Sequence, residues 1–101
     1  MNKEEKINEY LQSVDISAFL TYYIPSLSLN PKITLEEIKK IYPSKKLDSY
    51  PVNLQQHMLE VAREIFKNNW VKDFLIEIIN SENLSLPIVA KAKGYLDILN
   101  N

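Results

Sequence analysis

The sequence predicts an all-α fold: a compact single domain over residues 1–101, built as an irregular helical bundle of five or six helices. Three observations lead there. Apolar side chains recur at three- and four-residue spacing along most of the chain, which stacks them on one face of a helix. Only "PSLSLNPKI" at 25–33 alternates as a strand does, and it has no partner strand. The 101 residues are 46% hydrophobic and 25% charged. That is an ordinary globular composition at the length of one domain, with an expected radius of gyration of about 13 Å.

A first helix is expected from Lys3 to Val14, where Ile7, Tyr10, Leu11 and Val14 share a face. Asp15 then caps a second apolar set, Ile16, Phe19, Leu20 and Tyr23, pointing nearly opposite the first. This predicts either a bend near Ser13–Asp15 or a helix buried on two sides. Pro25 disfavours helix at Ile24, so residues 25–33 are expected to be a proline-bearing extended connection whose Leu27 and Leu29 plug the core. Thr34 and Glu37 have the spacing of a capping box and open a helix over Leu35–Tyr42. A second proline-bearing connection, 43–52, follows.

Asn53 is the expected cap of the longest helix, whose seam is Leu54, Met58, Val61 and Ile65, widened by Leu59, Ala62 and Phe66. The seam then reaches the polar Asn68, Asn69 and Lys72, while Val71, Phe74, Leu75 and Ile78 lie about a quarter turn away. That phase change predicts a break at Asn68–Asn69. Ser85 is placed to cap a last helix lined by Ile88, Val89, Ala92, Leu96 and Leu99, with proline tolerated in its first turn.

The same residues exclude several chemistries. With no cysteine there is no disulfide and no thiolate metal site. A single glycine, Gly94, cannot build a Walker or dinucleotide loop. His57 is the only histidine, and it borders the seam of its own helix, which points to packing with one hydrogen-bond partner rather than proton transfer. Glu60 and Glu64 interleave with Arg63 and Lys67 as on a solvated helix face. No catalytic, cofactor-binding or metal-ligating residue is therefore expected, and the chain is read as no enzyme. The strongly charged N-terminus and the lack of ~20 consecutive apolar residues predict a cytoplasmic protein with no membrane partner.

Twelve basic against 13 acidic side chains give a net charge of −1, so no global field draws the chain to nucleic acid. The positive charge that exists is local. Lys39, Lys40, Lys45 and Lys46 flank "YPSKKLDSYP" at 42–51, whose prolines stiffen an aromatic segment. Tyr23 and Tyr42 lie on apolar faces and are expected to pack inward, leaving Tyr22 and Tyr50 exposed. Trp70 sits at the phase break, as a wedge between helices or an anchor for a partner.

The expected function is a noncatalytic protein-interaction module, a regulator, inhibitor or immunity factor. Its candidate contacts are Tyr22, Lys39, Lys40, Lys45, Lys46, Tyr50 and Trp70, facing a protein partner with an acidic surface. Two other readings stand beside it. One is nucleic-acid binding through the Lys39–Lys46 region. The other is a structural or assembly role as a helical homo-oligomer, in the simplest case a homodimer.

Overall fold

In the computed structural model, which describes residues 2–101, the apolar periodicity becomes helix almost throughout, and the domain is all-α with no strand among the described residues. The helices are α1 (Lys3–Ser13), α2 (Ile16–Ala18), α3 (Ile24–Leu29), α4 (Leu35–Ile41), α5 (Lys45–Asp48), α6 (Val52–Lys67), α7 (Val71–Ile79) and α8 (Leu86–Asn100). A π-helical stretch, Phe19–Tyr23, fuses α2 to α3 in one continuous rod. Counting that rod once leaves seven helices among the described residues, more than the five or six expected. The addition is α5, inside a segment expected to be a connection.

The capping signals act as their chemistry dictates. Thr34 accepts from the Glu37 backbone N–H at 3.2 Å while Glu37 Oε1 accepts from the Thr34 N–H at 3.2 Å, the reciprocal box. Asp15 Oδ1 accepts from the Ala18 N–H at 3.0 Å. The expected cap Asn53 is displaced: α6 begins at Val52 with Pro51 as its N-cap, because proline has no N–H to leave unpaired there.

The break at Asn68–Asn69 is a C-terminal cap. Asn69 takes φ 59°, the Asn69 N–H reaches the Phe66 carbonyl at 3.2 Å, and the Trp70 N–H reaches the Ile65 carbonyl at 2.9 Å. These are the paired bonds of a Schellman motif, with asparagine in the left-handed position that glycine more often fills. The turn rotates the chain so that Phe74, Leu75 and Ile78 of α7 enter the same core as Met58, Val61 and Ile65 of α6.

The expectation of an extended connection at 25–33 fails over its first half. Helix continues through Pro25 to Leu29; Leu27 is fully buried as expected, but Leu29 is 76% exposed. The π turn explains how proline is carried. Its i→i−5 bonding has the Ile24 N–H on the Phe19 carbonyl, so the next carbonyl, that of Leu20, faces Pro25, which has no N–H to give. The Tyr95 hydroxyl of α8 donates to that Leu20 carbonyl at 2.7 Å. Beside it, Lys91 Nζ donates to Thr21 Oγ1 at 2.9 Å, and Ser26 Oγ closes the turn on the Tyr22 carbonyl at 2.6 Å. The rod supplies the centre of the core: Phe19, Leu20, Tyr23 and Leu27 are fully buried, with the Phe19 ring 5.3 Å from that of Phe74.

Candidate functional site

The segment Tyr42–Pro51 is tied down at every turn. Ser44 caps α5 by accepting from the Lys46 N–H at 3.2 Å, and Leu47 drops into the core with no exposed surface. The Tyr22 ring meets Tyr42 edge-on at 5.4 Å, and its hydroxyl lies 3.4 Å from Ser44 Oγ. Lys39 Nζ pairs with Asp48 at 3.5 Å, and Gln55 Nε2 donates to the Tyr50 carbonyl at 2.6 Å. Tyr22 and Tyr50, expected exposed, are both half-buried against the core. Burial raises the Tyr50 hydroxyl pKa, and the nearby Asp15 carboxylate adds to the shift.

Of the expected contacts, Lys40, Lys45 and Lys46 alone stand exposed. Tyr22 and Lys39 join the segment from neighbouring helices. Trp70 belongs to the α6–α7 corner, half-buried against the core. His57 behaves as its seam position predicts: it is half-buried, with Nε2 2.8 Å from Ser13 Oγ.

The open surface lies elsewhere, between the α3–α4 connection, the end of α6 and the tail of α8. One cavity of about 550 Å³ is walled by Ile24, Pro25, Val71, Leu75 and Tyr95, with Ile98 and Leu99 at its mouth, 69% and 43% exposed. Lys72 and Asp73 border it, and Lys3 pairs with Asp73 at 3.4 Å. A second cavity, also about 550 Å³, is formed by Pro31, Lys32, Arg63 and Lys67. Phe66 is a wall of both, so the hollow lined by Ile24, Val71 and Leu75 and a second one rimmed by the cations Lys32, Arg63 and Lys67 share one aromatic ring.

The second hollow is partly fixed in place. Arg63 donates to the Ile33 carbonyl at 3.0 Å, which holds its guanidinium against the connection. Lys32, Arg63, Lys67 and Lys72 make no ion pair among the described residues. Glu64, next to Arg63 in the chain, accepts instead from the Asn68 side chain at 3.3 Å.

The sequence reading missed this groove. Arg63 and Lys67 read as one solvated face, Phe66 as core, and Ile98 was not singled out. The available signal was Ile98 and Leu99 adjacent at a helix end, where two neighbouring apolar residues point about 100° apart and both do not reach one core.

Among the described residues no His, Cys, Asp or Glu side chains gather as a metal-ligand set, and no helix is long and apolar enough to cross a membrane. Compared with protein-family models, curated proteins and solved structures, the chain matches none.

Proposed function

We propose that this chain is a noncatalytic protein-interaction module, acting as a regulator or inhibitor by occupying its partner, and that it binds through the Phe66 groove rather than through Tyr42–Pro51. The observation that carries this is the hollow with Ile98 and Leu99 exposed at its mouth. Apolar side chains at the rim of a preformed concavity gain binding free energy when a partner covers them. In Tyr42–Pro51, by contrast, the Tyr42 ring is already packed edge-on against Tyr22, and Tyr50 is half-buried against the core.

The test is comparative capture. The intact chain, the double variant Ile98→Glu and Leu99→Glu, and the double variant Lys45→Gln and Lys46→Gln are used as baits in extract of the cells that make the protein. A recovered partner is then expressed and its binding measured by surface plasmon resonance. A partner retained by the lysine variant and lost by the groove variant, with circular dichroism unchanged in both, is the expected result. Equal binding by all three baits removes the groove from the proposal, and loss in the lysine variant alone returns the site to Tyr42–Pro51.

A further inference from the structure

Resting on the reading of the groove as an interface, we infer that its occupant is an acidic segment of a protein partner with an apolar anchor. The segment crosses Phe66 so that the anchor enters the hollow of Ile24, Val71 and Leu75 while its carboxylates meet Lys32, Arg63 and Lys67. The charge of the two hollows decides the partner's chemistry. Four cations border them against one carboxylate, Asp73, which Lys3 already neutralises. Unpaired cations at a rim favour approach of the opposite charge and reject a basic segment. The chain as a whole carries −1, so this positive face is local and does not attract polyanions in general.

Arrangement narrows the choice further. Three of the cations, Lys32, Arg63 and Lys67, sit on one side of Phe66, and the fourth, Lys72, borders the hollow lined by Ile24, Val71 and Leu75 on the other, so a ligand that is only charged, or only apolar, leaves part of the groove unused. A nucleic-acid strand would bring phosphates to Lys32, Arg63 and Lys67. Its second requirement is successive flat faces on which bases stack, and in the second hollow the aromatic lining is Phe66 alone. An acidic peptide with a leucine or phenylalanine anchor uses both halves. Arg63, tethered to the Ile33 carbonyl, gives up little freedom when it meets a carboxylate.

Fluorescence anisotropy with the full chain tests this using three labelled peptides of equal length. One is rich in Asp and Glu with Leu and Phe anchors, one has the same anchors with Lys, and one is acidic with Ser in place of the anchors. A labelled single-stranded oligonucleotide is the fourth probe. The acidic anchored peptide should bind at least about ten-fold more tightly than the other three. The pair Lys32→Glu and Lys67→Glu, both exposed residues that carry no structural hydrogen bond through their side chains, should weaken it by about ten-fold or more and flatten its salt dependence.

The inference is overturned if the basic peptide or the oligonucleotide binds as tightly, if the charge-reversed pair binds unchanged, or if none of the peptides binds. It is also overturned if sedimentation equilibrium shows that a second copy of the chain fills the groove, as a dimer dissolved by Ile98→Glu. Failure here with a captured partner that still depends on Ile98 and Leu99 leaves the interaction module standing and removes only the acidic segment.

Discussion

Tyr42–Pro51 and the Phe66 groove are both cationic surfaces beside aromatic side chains, yet they differ in what is left over. In the first, the aromatic edges, the cap, one ion pair and a buried leucine satisfy each other. In the second, four cations make no ion pair among the described residues and two large apolar side chains stand exposed. Charge and aromatic content in sequence do not separate a strap from a site. A cavity with exposed apolar side chains at its mouth does.

The largest expected effect tests the strap. Leu47 is fully buried, so Leu47→Ala removes its packing and leaves a cavity, which should destabilise the fold by about 2–5 kcal/mol in urea unfolding. A loss below about 0.5 kcal/mol, the size of an ordinary surface substitution, would mean that Tyr42–Pro51 is loosely held and would restore it as a flexible binding loop.

The next effect probes how the groove wall is built. Tyr95 lines the first hollow and its hydroxyl satisfies the Leu20 carbonyl freed by Pro25. Tyr95→Phe keeps the ring and orphans the carbonyl, so unfolding should become easier by about 1–3 kcal/mol. If Pro25→Ala, which restores a backbone N–H, recovers part of that loss in the double variant, the pairing of proline with tyrosine is established. Strict additivity would break it.

That contact also marks where sequence ceases to be informative. The Thr34–Glu37 box, the α6 seam and the asparagine break are local, each set by residues within a turn or two, and each was readable. The passage of helix through Pro25 leaves the Leu20 carbonyl to a hydroxyl 75 residues beyond Leu20 in the chain. Likewise the groove assembles Lys32, Arg63 and Ile98 from three distant elements, and on its own helix each looks like an unremarkable surface residue. Leu47 was hidden for a related reason: one leucine in a polar, proline-flanked segment has no periodicity, and the core position it fills is created by other helices.

A smaller effect, of opposite sign, lies in the core between the two surfaces. The Tyr23 hydroxyl is buried without a hydrogen-bond partner, and burial, with a lesser contribution from Tyr50, pushes its pKa up from 10.0 to about 12. Tyr23→Phe removes an unpaired polar group and should stabilise the fold by about 1 kcal/mol at neutral pH. The raised folded-state pKa means that the neutral hydroxyl's contribution is fully present below pH 10.0 and is lost as pH rises toward about 12, because the unfolded tyrosine ionises first. Urea unfolding at pH 7, 10 and 11 should therefore show a steeper alkaline decline in the parent than in the variant. Parallel declines would show that Tyr23 does not govern the alkaline limb.

The smallest expected effect is the sharpest on the comparison itself. Lys45 and Lys46 are exposed, make no ion pair among the described residues, and contribute to the strap through the Lys46 backbone rather than through their ammonium groups. Lys45→Gln with Lys46→Gln should therefore change stability by less than about 0.5 kcal/mol. Neither lysine lines the groove. At an ionic strength of about 0.15 M, charges more than roughly 8 Å apart across solvent are largely screened, so affinity for the acidic anchored peptide should also hold steady. Lowering the salt lengthens the screening distance, and there the loss of two positive charges should slow association modestly while leaving dissociation alone. The contrast with Lys32→Glu and Lys67→Glu decides between the two surfaces in one set of titrations. If the Lys45 and Lys46 pair weakens binding at physiological salt while the groove pair is silent, the internally satisfied strap is the interface after all, and unfilled volume fails as the criterion that separated them.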